Sequence, residues 1–265
     1  MKLGSDMGCK PASEIKASAT QCSTGALLRM LRHGESQPRK QEDASHVSAA
    51  RQGRRGVLDV DKSLRSSEMD AVTRDYIDSL EVNSVPWSRM FTAYGTAEKY
   101  PELLSELEQI RDIDRWKKVF NRISDFEHQS TLFPPAPFAL IFLVRQLRKL
   151  LEEGEAEEIA ERMIDQFEYY IDICIDAERM EHAQPLERFS DLLDEGNLLP
   201  EECTEDDLLA VFEDPEAVPD ALFYSFYYYS MIVLSQVPDI LDRYGKFSEK
   251  SKNFRDKMTV LGRTP

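Results

Sequence analysis

Residues 137–151, PFALIFLVRQLRKLL, determine more about the fold than any other stretch of the chain. Every residue in 138–144 is apolar, and the sequence turns basic only at Arg145, Arg148 and Lys149. A helix with apolar side chains on nearly every side has to be surrounded by other elements. We therefore expect residues 137–151 to form a central helix with further helices packed around it.

On both sides of this stretch, apolar residues recur at helical spacing from Met69 onward, and strand-like alternation is nearly absent. The pattern predicts further helices at 72–80, 101–107, 116–123, 154–180, 185–194 and 205–212, and a last one from 220 to 245 that is interrupted at Pro238. The fold class is therefore all-α. Consecutive helices with short polar loops favour a HEAT-like helical repeat, either a short α-solenoid or an irregular bundle, although no period returns residue for residue.

Charge divides the 265 residues into two parts. The whole chain has 33 basic and 49 acidic residues and a formal net charge of −16, but residues 1–66 hold 12 basic and 7 acidic residues, leaving 21 and 42 in residues 67–265. The first part is also rich in Ser, Gln and Gly and has little apolar material for a core. We expect residues 1–66 to be a flexible basic leader and residues 67–265 to be one all-α domain. A transit peptide and a natural start at Met69 are alternatives for the leader.

Composition also excludes several classes of protein. A strongly acidic chain with a pI near 4.8 is unsuited to non-specific binding of nucleic acid or anionic membranes. No apolar stretch approaches the ~20 residues of a membrane-spanning helix, and the first residues do not resemble a secretory signal. Four scattered cysteines do not suggest a disulfide framework or a zinc cluster. We expect a cytoplasmic protein without cofactor or metal.

Two segments carry a resemblance to a known family. They are 84–107, SVPWSRMFTAYGTAEKYPELLSEL, and 116–147, WKKVFNRISDFEHQSTLFPPAPFALIFLVRQL. A Thr-Ala-Tyr-Gly loop before a Pro-Glu-Leu-Leu helix, and a His-Gln dipeptide before a helix entered through proline, resemble a bacterial family of HEAT-like repeat proteins. Ser130 stands where many members have glycine. Because that family includes immunity proteins of toxin systems, the resemblance implies a protein that binds another protein.

The most distinctive polar residues lie in these motifs, at Tyr94, His128 and Gln129. In one interpretation they meet on a ridge that contacts a partner. In the other, Tyr94 and His128 pack between helices and bond loop carbonyls, as buried polar groups must. Asp125 and Glu127 are close in sequence, but nothing supplies a nucleophile or a cradle for an oxyanion, so we expect no catalysis.

Acidic residues are densest in residues 150–220, which hold 25 carboxylates and three arginines. Asp165, Glu168, Asp172 and Asp176 recur at three- and four-residue intervals and so share one helix face. The face could simply be solvated. It could instead bind metal, although the chain lacks the Glu-x-x-His motifs of di-iron bundles. A third alternative is a surface that attracts a basic partner or mimics nucleic acid. For the partner surface the candidate contacts are Asp172, Asp176, Glu205 and Asp206.

A second candidate contact surface is the aromatic run 223–229, FYSFYYY. Its rings point to every side of a helix, which is typical of a helix packed on two sides. Alternatively Tyr224 and Tyr228, one turn apart, are rigid anchors at an interface, where tyrosine is enriched.

Together these patterns predict a non-catalytic protein-binding module. Its specific form would be an immunity-type inhibitor that masks a basic toxin or other basic protein through an acidic surface. The alternatives are a helical-repeat scaffold or regulatory adaptor without an inhibitory role and, less favoured, a metal-dependent enzyme built on the acidic ladder.

Overall fold

The computed structural model describes residues 69–214 and 217–259. These residues form a mostly helical protein, which confirms the all-α class. The α-helices are α1 (Ala71–Ser79), α2 (Tyr100–Gln109), α3 (Ile113–Ile123), α4 (Ala136–Glu153), α5 (Glu157–Arg179), α6 (Glu205–Glu213), α7 (Asp220–Leu234), α8 (Val237–Leu241) and α9 (Ser248–Thr259). The expected leader, residues 1–66, lies outside the described residues.

Helix α4 is the centre of the core, as the apolar run predicts. It packs against α2, α5 and α7, and its side chains at Phe138, Leu140 and Leu143 have no solvent exposure. The helix begins with Pro137 in its first turn and ends at Gly154, whose φ of 67° is the left-handed conformation that glycine adopts most readily. No helix within the described residues has the length and apolar character needed to cross a bilayer.

Three predicted helix boundaries need correction. The expected helix at 185–194 is a 3₁₀ turn, Phe189–Leu193. The aromatic helix ends at Leu234, and Pro238 lies in the first turn of the short helix α8. Helix α9 follows Gly245, where the sequence pattern predicts an end. It was missed because most of its residues are polar and only Ser251, Phe254 and Met258 are buried.

Two short antiparallel hairpins interrupt the helices. The first pairs β1 (Phe91–Thr92) with β2 (Gly95–Thr96), and the second pairs β3 (Glu127–His128) with β4 (Thr131–Leu132). Strands of two residues are too short to show alternation in the sequence. The Thr-Ala-Tyr-Gly and His-Gln motifs that stand out in the sequence form these hairpins and their tips.

The two hairpins share one strand-pairing pattern displaced by 36 residues, the interval from Phe91 to Glu127, although their loop backbones differ, since only the second has positive φ at both loop residues. Their registers coincide under this displacement, since Phe91 faces Thr96 and Glu127 faces Leu132. The same hydrogen bond closes each unit: Ala97 donates to Met90 over 2.9 Å, and Phe133 donates to Phe126 over 2.9 Å. Each hairpin leads into a helix with proline in its first turn. The pairing register, the closing hydrogen bond and the proline-containing helix that follows are therefore common to both hairpins.

Candidate functional site

The tips of the two hairpins meet through Tyr94 and His128. The Tyr94 hydroxyl lies 3.0 Å from His128 Nδ1, and the two rings pack edge to face with centroids 5.2 Å apart. Tyr94 is 60% exposed and His128 is half-buried. The interpretation that packs Tyr94 between helices is therefore wrong, because its ring lies at the surface. The structure places Tyr94, His128 and the adjacent Gln129 on one surface, the twin-hairpin surface.

Asp125 joins the two hairpin units beneath this surface. Its carboxylate accepts hydrogen bonds from the Thr92 hydroxyl over 3.0 Å and from the Tyr100 hydroxyl over 2.5 Å. Its backbone carbonyl accepts a third bond, from the N–H of Ala93 over 3.1 Å. Burial raises the pKa of Asp125, although the bonds from Tyr100 and Thr92 oppose that shift. Because one residue bonds the strand, the tip and the following helix of the other unit, the two tips are held in a fixed relation.

The tip of the second hairpin has a strained backbone. Gln129 and Ser130 have φ angles of 51° and 63°, a left-handed conformation that costs free energy in residues with a Cβ atom. Both residues are exposed, and the Ser130 N–H donates to Glu127 Oε1 over 2.8 Å. A two-residue type I′ hairpin loop requires positive φ at both of its residues, so the hairpin itself imposes this conformation. The tip is therefore the most distinctive backbone feature of this surface.

Tyr169 of α5 is a member of this surface that the sequence analysis missed. Its hydroxyl donates to Glu127 Oε1 over 3.0 Å, and the side chain is 41% exposed. Burial and the neighbouring Glu127 carboxylate raise the pKa of Tyr169. The available signal was an aromatic residue on the polar face of an amphipathic helix, next to Glu168. In the structure Tyr169 and Tyr94 both contact the strand Glu127–His128.

Helix α6 is attached to the twin-hairpin surface by aromatic packing. The Phe212 ring meets the Phe91 ring edge to face at 6.0 Å between centroids, and Phe91 meets Phe133 in the same way at 6.0 Å. These rings and Ala93 form a small apolar cluster that is connected to the main core through Phe91. The acidic helix that the sequence analysis selected is thus a neighbour of the hairpins.

The beginning of α6 presents carboxylates that form no ion pair within the part of the chain that the structure describes. Thr204 and Asp207 form a capping box, whose bonds from the Thr204 backbone and hydroxyl lower the pKa of Asp207. Glu205 and Asp206 are exposed and form no ion pair with any residue in 69–214 or 217–259. Their position in the first turn is favoured by the helix dipole. Their charges therefore face solvent at a fixed place beside the hairpins.

The carboxylates of α5 are in a different situation, because lysines after residue 245 pair with them. Ion pairs join Lys246 to Glu157, Lys250 to Asp165 and Glu168, and Lys257 to Asp172. Asp176 pairs with Arg179 on its own helix at 3.4 Å. Asp165, Asp172 and Asp176 are exposed, as the interpretation of a solvated face predicts, and lysines of α9 compensate part of the charge of this face. Asp172 and Asp176 are consequently weaker candidates for a basic partner than Glu205 and Asp206.

Tyr224 is not a surface anchor. The side chain is 4% exposed, its hydroxyl donates to Glu178, and its ring stacks on His182 with centroids 3.6 Å apart. Tyr228 is half-buried and meets Tyr229 edge to face at 5.1 Å. Helix α7 packs against both α4 and α5, which is the arrangement expected for a helix with aromatic residues on every side. The alternative that used Tyr224 as an exposed contact is wrong for this reason.

Neither a metal site nor a known relative adds to this description. Within residues 69–214 and 217–259, no group of three or more His, Cys, Asp or Glu side chains is placed to hold a metal ion. In the comparison with known proteins, no family model, no curated protein and no solved structure matches the chain.

Proposed function

We propose that this protein is a non-catalytic binding module that holds a basic partner protein on the twin-hairpin surface and the adjoining start of α6. The observation that carries the proposal is the contrast between two acidic regions. Asp165, Glu168 and Asp172 of α5 pair with lysines and Asp176 pairs with Arg179, whereas Glu205 and Asp206 are exposed without an ion pair among the described residues. Charge without an internal partner is available to an external one.

The two parts of the site would act at different ranges. Exposed carboxylates attract a basic protein over roughly a Debye length, about 8–10 Å at moderate salt, and so raise its association rate. The rigid surface around Tyr94 would then supply short-range contacts, because tyrosine gives large contact area at low entropy cost. The links through Asp125 support this role, since a preorganised surface loses less entropy on binding.

The absence of catalysis is part of the same proposal. His128 has one ring nitrogen bonded to the Tyr94 hydroxyl, a group that is a poor nucleophile at neutral pH. The Asp125 carboxylate is occupied by Tyr100 and Thr92. This arrangement resembles a structural hydrogen-bond network more than a catalytic site, in which a base activates a nucleophile and a third group orients the base. The protein would act by covering its partner.

We include in the proposal a HEAT-like arrangement and an immunity-type role. The duplicated hairpin–helix unit supports a repeat architecture, and the resemblance in residues 84–107 and 116–147 supports an inhibitor. In that form the partner is a basic toxin whose active surface is masked. A neighbouring toxin-like gene, and loss of that toxin's activity on mixing, would favour inhibition over a scaffold or adaptor role.

The location of the site can be tested by photocrosslinking in cells. A photoreactive phenylalanine analogue at position 94 should capture the partner, because Tyr94 projects from the surface. The matched control places the same analogue at Val72, which is 71% exposed on α1. Equal capture of the same protein from both positions, or capture from position 72 alone, would contradict the proposed site.

With the captured partner purified, association kinetics test the electrostatic part. Glu205→Gln with Asp206→Asn should lower the association rate severalfold at low salt, and physiological salt should reduce this difference. Asp172→Asn with Asp176→Asn changes the net charge equally but removes carboxylates that already have partners, so its effect should be smaller. Equal effects of the two double variants, or a rate indifferent to salt, would refute the proposal.

A further inference from the structure

Glu127 combines three properties that point to a bound cation. It is half-buried in the twin-hairpin surface, and it forms no ion pair with any residue in the described ranges. Its carboxylate lies against the Tyr169 hydroxyl, and its charge also acts on the buried Tyr170 and Tyr227. A carboxylate that has a fixed orientation and no counter-ion among the described residues is open to a cation from another molecule.

The two oxygens of Glu127 have different surroundings. Oε1 accepts hydrogen bonds from the Ser130 N–H over 2.8 Å and from the Tyr169 hydroxyl over 3.0 Å, which fixes the orientation of the carboxylate. Oε2 accepts no hydrogen bond from the described residues and is not among the buried unsatisfied atoms, so it is accessible to solvent. The Ser130 N–H and the Tyr169 hydroxyl thus orient the Glu127 carboxylate through Oε1 and leave Oε2 open.

The neighbouring exposed groups suit a planar cation better than an ammonium group. Tyr169 presents a ring that is 41% exposed, and its hydroxyl is bonded to the same carboxylate. A guanidinium group donates hydrogen bonds to a carboxylate while stacking on an aromatic face, whereas an ammonium group is a strongly hydrated point charge. The surroundings therefore favour arginine over lysine.

We propose that Glu127 and Tyr169, beside the Gln129–Ser130 tip, form a subsite for an arginine side chain of the partner protein. This inference rests on the proposed function and deepens it by naming one residue type that the partner presents. Arginine is enriched among residues that dominate binding energies at interfaces. The acidic start of α6 would bring a basic surface to the site, and Glu127 would then bind one of its arginines at short range.

The subsite can be tested on the full chain without knowing the partner. The probe is the capped tripeptide Gly-Arg-Gly, titrated by amide NMR, with capped Gly-Lys-Gly as the chemical control. We expect the arginine peptide to shift the amide resonances of Gln129, Ser130 and Tyr169. The dissociation constant of the lysine peptide should be at least about threefold higher. Equal titration by both peptides, or shifts confined to α6, would overturn the subsite.

Substitutions give the second test. Glu127→Gln keeps an acceptor oxygen for Ser130 and Tyr169 but removes the charge, and should weaken the arginine peptide about fivefold or more. Glu158→Gln, at an exposed α5 residue with no ion pair in the described residues, is the matched control and should leave binding unchanged. Tyr169→Phe keeps the ring but removes the hydroxyl that orients Glu127, so a larger loss of binding in Tyr169→Ala than in Tyr169→Phe would implicate the ring. Unchanged binding in both Glu127→Gln and Tyr169→Ala would refute the inference.

These outcomes separate the subsite from the proposed function. If the Glu205 and Asp206 double variant slows the partner but Glu127→Gln has no effect on the peptide or the partner, only the arginine subsite is wrong. If the peptide binds as expected but the partner's association is insensitive to salt and to the α6 charges, the subsite stands and the proposed electrostatic capture is wrong.

Discussion

Lys257 near the end of α9 pairs with Asp172 in the middle of α5, with 2.7 Å between Nζ and Oδ2. The two residues are 85 positions apart in sequence. Together with Lys246 and Lys250, this pair places basic groups along the acidic face of α5. Like charges at helical spacing repel, so the lysines reduce a strain that the α5 sequence would otherwise carry. Glu205 and Asp206 at the start of α6, by contrast, are exposed and form no ion pair with any other described residue.

We expect this pairing to contribute a small, salt-dependent part of the stability. Lys257→Glu should lower the free energy of unfolding by about 1 kcal/mol more than Lys252→Glu, because it places two carboxylates together. Lys252 is exposed on the same helix and forms no ion pair among the described residues, so it matches the charge change without the contact. Urea unfolding at low salt measures the difference. High salt should reduce it, and a difference that salt leaves unchanged would contradict an electrostatic origin.

The hydrogen bond from Tyr100 to Asp125 beneath the hairpins should contribute more to stability than the bond between Tyr94 and His128 at their surface. Tyr100→Phe removes a donor to the half-buried Asp125 and should cost about 1–3 kcal/mol of unfolding free energy. Tyr94→Phe removes the bond to His128 at an exposed position and should change stability by less than about 0.5 kcal/mol. Chemical denaturation of the two variants provides the comparison. Equal costs would mean that Asp125 does not hold the two units together.

The protonation of Asp125 should make stability depend on pH in a defined direction. Burial raises its pKa above the ordinary 3.8, so the folded protein binds this proton more tightly than the unfolded chain. Its contribution to unfolding free energy is then greatest at low pH and is lost as pH rises through the raised pKa. We expect the wild type to gain stability relative to Asp125→Asn when pH falls from about 7 to about 4. A difference that is constant with pH, or that changes the opposite way, would contradict this environment.

In the central helix α4, the stability lost when a side chain is truncated to alanine should depend on how deeply that side chain is buried. Leu143 is fully buried, and Leu143→Ala should cost about 2–5 kcal/mol. Phe142 is only half-buried and contacts Trp87 and Arg145 at the edge of the core, so Phe142→Ala should cost less. Thermal or urea unfolding ranks the two variants. A larger loss of stability in Phe142→Ala than in Leu143→Ala would contradict the side of α4 that faces the core in this structure.

The apolar pattern was sufficient to predict α4 but insufficient for α9. Residues 138–144 are apolar on every side, so burial is the only stable environment for them in water. Helix α9 has few apolar residues and is held by Phe254 and Met258 together with ion pairs to α5. Its contacts join distant parts of the chain, and local periodicity contains no information about them. The hairpins escaped prediction for another reason, because their strands have only two residues each.

For the candidate site, the unusual residue types can be recognised in the sequence: the Thr-Ala-Tyr-Gly and His-Gln motifs, the acidic run and the aromatic run. Which of them share a surface depends on how distant segments pack. The tertiary structure placed Tyr94 against His128, added Tyr169, buried Tyr224 and paired Asp172 with Lys257. The physical reason is that composition and spacing fix local conformation and charge, whereas exposure and neutralisation depend on which distant segments pack together.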